Sequence, residues 1–107
     1  METKNVLNFD KLIRQAYTLI RAFAEHDPKP WSTTVKTLDL MADSGKIAAL
    51  VLEAEGYKDK KSEDTLPEEL ATLFFIILDI AQDYQIDFKE SFASFLEKTE
   101  QQLTKKG

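Results

Sequence analysis

Acidic side chains set at helical intervals within apolar stretches are the groups of this chain best able to do chemistry. From Leu70 to Ala81 only Thr72 and Asp79 are not apolar. Seven residues return a helix to nearly the same azimuth, so Glu69, Thr72, Ile76, Asp79 and Asp83 share one mostly polar stripe, where any site is expected. Upstream, Asp39, Asp43, Lys46 and Glu53 form a second stripe. Carboxylates one turn apart on facing helices hold hard cations, whose preferred ligands are oxygens. The same acids also serve as ion-pair partners on a solvated helix face. Asp79 is harder to place on a solvated face. A lone carboxylate in an apolar run must reach solvent, a cavity, or a partner such as Lys46 or Thr72.

The elements that would position these residues are helices. Glu69 to Tyr84, apolar on nearly every side, reads as a central helix that neighbours must cover all round. Its apolar run is too short to cross a bilayer, which takes about 20 residues. Thr65-Leu66-Pro67-Glu68 ahead of it is a capping box with proline in the first turn. A first helix is expected from Phe9 to about Glu25, capped by Asn8, with Leu7 stapled to Leu12. Its apolar face is Phe9, Leu12, Ile13, Ala16, Ile20 and Phe23. Pro28 and Pro30 end it, and His26 lies at its C-terminus, where a cation is welcome. A second helix is expected over about Thr34 to Glu55. One of its faces is Val35, Leu38, Met41, Ala42, Gly45, Ala48, Ala49 and Leu52, and Gly56 is its C-terminal glycine. Gly45 costs about 1 kcal/mol relative to alanine in a helix interior, which suggests a closely crossing neighbour there. Tyr57 to Leu66 is a charged loop. Asp87 then caps a fourth helix, with Phe88, Phe92, Phe95, Leu96, Thr99 and Leu103 on its buried face. Trp31, after the two prolines, reads as a core anchor or as a stacking platform.

Composition fits a single all-α domain spanning 1–107. The chain has three glycines, three prolines and no cysteine, with 43% hydrophobic and 31% charged residues. Without cysteine there is no disulfide, thiolate metal site or thiol nucleophile. A single histidine excludes a multi-histidine metal centre within one chain. A net charge of −5 argues against nucleic-acid and anionic-membrane partners, which call for a concentrated basic surface. The amino-terminal residues carry no apolar run of signal-peptide length, so the cytoplasm is the expected compartment. The second and third helices carry more apolar surface than two single-sided neighbours can cover. A homodimer or homotetramer is therefore expected.

These landmarks together resemble a known family. Trp31 follows a proline-containing turn, a long helix carries Gly45 within an acidic stripe, and a charged loop comes next. Then comes Glu69-Leu70-Ala71-x-x-Phe74-Phe75-x-x-x-Asp79-x-Ala81, followed by Ile86-Asp87. Over roughly Trp31 to Leu96 the chain resembles the MazG-like, all-α nucleoside triphosphate pyrophosphohydrolases. The resemblance implies a four-helix bundle, Mg²⁺ as cofactor and a nucleoside triphosphate as substrate, cleaved between its α and β phosphates. It also implies metal ligands from Glu-Glu-x-x-Glu on the second helix and Glu-x-x-Asp on the third. Here those positions hold Ala42, Asp43, Lys46, Glu69 and Thr72, which leaves Asp43 and Glu69 as the metal ligands. Trp31, Asp39, Lys46, Thr72 and Asp79 become the pocket residues, and Lys46 pairs with Asp43 or Glu69. The expectation is a homologue with a degraded metal cluster, weakly active or non-catalytic. The alternatives are an active enzyme with a rearranged site and a structural module for protein interaction.

Overall fold

The computed structural model describes residues 8–106, and within them the chain is all-helical. The helices are α1 (Phe9–His26), α2 (Thr33–Ala54), α3 (Leu66–Asp83) and α4 (Phe88–Lys106). Their starts are set by capping side chains, at Asn8, Thr65 and Asp87 the expected ones. Asn8 Oδ1 accepts from the Lys11 amide at 3.1 Å, Ser32 Oγ from Val35 at 3.3 Å, and Thr65 Oγ1 from Glu68 at 3.4 Å. Asp87 Oδ1 accepts from the Glu90 amide at 3.1 Å. Each satisfies a donor that the first helical turn leaves unpaired. The expected staple involves Leu7, which lies outside the described residues.

Two helix ends share one device. After α2, the Gly56 amide donates to the Glu53 carbonyl and that of Tyr57 to Leu52, with Gly56 at φ +84°. After α3, the Gln85 amide donates to Gln82 and that of Ile86 to Ala81, with Gln85 at φ +56°. Both are Schellman motifs, in which a left-handed residue turns the chain off the helix axis. Glycine takes that conformation freely, whereas glutamine does so against its Cβ.

The central position of α3 is as expected. α2 packs along it and α1 crosses it, with Ile13 and Ile20 of α1 buried against Leu78, the most deeply buried residue. Phe74 extends this core as a ladder, its ring 6.2 Å from Phe9 and 5.8 Å from Phe88. Phe92 stacks on Phe88 at 6.1 Å.

Two expectations fail. α4 has no buried face: Phe88 is half-buried, but Phe92, Phe95, Leu96 and Leu103 are exposed. The turn at Gln85 directs α4 away from the other three helices after its first turn. Gly45 meets no closely crossing helix, since a Cβ built there finds nothing within 4 Å. The outer face of α2 is left uncovered by the chain, as the apolar excess of that helix implied, for Leu38 is 61% and Met41 67% exposed. Among the described residues, no helix is long and apolar enough to cross a membrane.

Candidate functional site

The seam between α2 and α3 collects the charged groups, and α2 runs antiparallel to α3 along it. Thr33 Oγ1, at the start of α2, donates to Asp83 Oδ2 at 2.7 Å. One turn on, Lys36 Nζ donates to Asp79 Oδ1 and to both carboxylate oxygens of Asp83, each at 2.9 Å. The ammonium is largely enclosed, with 16% of its side chain exposed. Burial opposes the charge on Lys36, but its bonds to Asp79 and Asp83 outweigh that and raise its pKa above the usual 10.5. Asp83 shows the converse balance. Burial pushes its carboxyl up, and the stronger pull of Lys36 and Thr33 brings it below 3.8.

Asp79 thus has both a partner and a cavity. The cavity, about 430 Å³, opens between α1, the Asp27–Trp31 connection, α2 and α3. Phe23, Trp31 and Phe75 supply its aromatic surface, and Ile20 and Ile76 its aliphatic floor. Its charged lining is Arg21 and Lys36 against Asp27, Asp39, Asp79 and Asp83, a net negative set. Of the five expected pocket residues, Trp31, Asp39, Thr72 and Asp79 line it and Lys46 does not. Trp31 is half exposed, so it is a wall of this cavity and no core anchor. Thr72 bonds back to the Glu68 carbonyl at 2.9 Å, its ordinary helical role.

Lys36 is the residue that sequence reasoning missed. The partners considered for Asp79 were Lys46 and Thr72, yet the register of the two helices brings Lys36 to it. A signal was present: Lys36 precedes Asp43 by two turns and so shares its azimuth on α2.

Further along the seam lie Asp43, Lys46 and Glu69. Asp43 and Glu69 are 6% and 7% exposed, so both acids are turned inward. Continuing the register set by Lys36 and Asp79 puts Asp43 level with Thr72 and Lys46 level with Glu69. Lys46 Nζ is 3.8 Å from Asp43 Oδ1, a loose pair with its amine half in solvent. Glu69 Oε1 is buried with no hydrogen-bond partner. Among the described residues, no group of three or more histidine, cysteine, aspartate or glutamate side chains is placed to hold a metal ion. Two carboxylates flanked by an ammonium fall short of the oxygen cage in which Mg²⁺ is ordinarily held. His26 ends α1 as a basic residue in its last turn, consistent with capping.

Comparison with known proteins gives no support in either direction: no family model matches the chain, and neither does any curated protein or solved structure.

Proposed function

We propose that this chain is a MazG-like helical domain that binds a planar ring ligand, of nucleoside type, without hydrolysing phosphate. The observation that carries this reading is the cavity beside the α2–α3 seam. It is large enough for a base and sugar, has an apolar and aromatic wall for a ring, and has polar groups along one edge. Trp31 offers a face for stacking, and Asp39 and Asp79 offer acceptors for ring or sugar donors. With four acids and two cationic groups in the lining, a neutral or cationic ligand is favoured over a bare triphosphate. Two features weigh against metal-assisted phosphate chemistry. Asp79 and Asp83 are both tied to the Lys36 ammonium, and Asp43 is faced by Lys46.

The chain has one tryptophan and it lines the cavity, which gives a direct test. Titration with nucleosides is expected to change Trp31 emission saturably, with a weaker response to the corresponding triphosphate. Asp39→Asn is expected to weaken the response. A Trp31 spectrum unmoved by millimolar nucleoside would refute the binding role.

The second reading, an active enzyme with a rearranged site, is favoured by one observation. The buried Glu69 Oε1 has no donor within the protein, and a cation would supply the missing interaction. Pyrophosphate release from a nucleoside triphosphate in millimolar Mg²⁺, abolished in Glu69→Gln, would establish it.

A further inference from the structure

The outer face of α2 carries an arrangement that the binding cavity does not use. Leu38, Met41, Ala42, Gly45, Ala48, Ala49 and Leu52 lie along one side of the helix, about half a turn round from the side that meets α3. All but Ala49 are exposed. The order of sizes is nearly the same read in either direction from Gly45. Ala42 and Ala48 stand three residues away on either side, Met41 and Ala49 four, and Leu38 and Leu52 seven. A two-fold axis through Gly45 would therefore set each leucine against the other leucine of a second helix, with only small groups at the centre. That is the self-complementarity an isologous contact demands. Val35, Leu38, Ala42, Gly45, Ala49 and Leu52 also alternate steps of three and four, the spacing of a seam between two supercoiled helices.

The surface of the whole chain leaves ample area for such a contact. Its accessible area is 8784 Å². A compact monomer of this mass exposes about 6,100 Å², and eight residues beyond the described span add at most about 1,300 Å². At least about 1,400 Å² per chain is thus in surplus, while a standard interface takes about 800 Å² from each partner.

We infer that a second copy of this chain packs on α2, antiparallel, with its own Gly45 at the crossing. The missing side chain at Gly45 lets the two backbones approach, which accounts for a glycine that meets nothing within its own chain. The inference does not rest on the ligand assigned to the cavity.

The chain lacks cysteine, so one introduced thiol reports on one position. Under mild oxidation, Gly45→Cys is expected to form a disulfide-linked dimer at least tenfold faster than Lys11→Cys on α1, because only thiols near the axis meet their own copies. In sedimentation equilibrium the unmodified chain is expected to be dimeric at micromolar concentration. Leu38→Glu should raise the dimer dissociation constant at least tenfold while leaving the helical circular dichroism of the dilute chain unchanged. Leu38→Gln should act in the same direction and guards against a folding defect from the new charge. A chain monomeric at high micromolar concentration would overturn the inference. So would equal cross-linking rates for the two thiols. A dimer that survives Leu38→Glu and dissociates in Phe95→Glu would move the contact to α4 and overturn it too.

Discussion

Lys36 decides how the seam behaves. It is held by three bonds to two carboxylates, and removing it leaves Asp79 in an apolar helix without a cation. Lys36→Met keeps the stem's packing and deletes the charge. It is expected to cost about 1–3 kcal/mol, the range for a charged hydrogen bond in a partly enclosed site; a urea midpoint that did not move would show that solvent serves Asp79 equally well. The pH dependence follows from the same pair. Asp83 titrates below 3.8 in the folded chain, so its contribution is whole above that value and is lost as pH falls further. Lys36 titrates above 10.5, so its contribution is whole below that value and is lost as pH rises past it. Stability from this pair is therefore flat across neutral pH and falls at both extremes, and in Lys36→Met chemical denaturation should lose the alkaline fall. At this scale the sequence was half legible. Asp79 had to reach solvent, a cavity or a partner because a lone carboxylate there is prohibitive, and it lines one cavity with Trp31, Asp39 and Thr72. Which lysine answers Asp79 depends on how α2 slides along α3, and no local spacing encodes that.

The helices themselves were the most legible part, because their ends are local chemistry. Asn8, Thr65 and Asp87 cap as their side-chain oxygens dictate, and Gly56 stops α2 as expected. The buried face expected for α4 was a different kind of inference. An apolar stripe on a helix says that something covers it, but the turn before it decides what is within reach. Gln85 sets that turn at φ +56°, a conformation disfavoured for any side chain by roughly 1–2 kcal/mol. Gln85→Gly should thus stabilise the chain by about 1 kcal/mol, less the entropy that glycine adds to the unfolded state. A lowered melting temperature would mean that the glutamine side chain makes a contact worth more than its strain. Phe88, packed on Phe74, fixes where α4 starts, while the exposed remainder of the helix is free to open. Amide hydrogen exchange in dilute protein should accordingly be faster from Phe92 onward than in α3. Equal protection along both helices would contradict that order of stability.

At the scale of the whole molecule, one chain is too open for its length. Its radius of gyration is 17.0 Å, where a compact domain of this length has about 13 Å. Large apolar side chains on α2 and α4 are exposed, among them Leu38, Met41, Leu52, Phe92, Phe95, Leu96 and Leu103, and they are residues whose periodicity in the sequence called for cover. The sequence therefore conveyed how much surface had to be buried better than it conveyed where. If burial between copies completes the fold, stability must depend on chain concentration, because association removes only folded chains from the folding equilibrium. A tenfold rise in concentration is worth about 1.4 kcal/mol per dimer. Spread over the unfolding entropy of two chains, that shifts the melting temperature by about 2–4 °C. Scans across two decades of concentration should therefore separate by about 4–8 °C in total, and Leu38→Glu should collapse that separation. Superimposed scans of the unmodified chain would mean that the open arrangement of its helices is stable by itself, with α2 and α4 left wet.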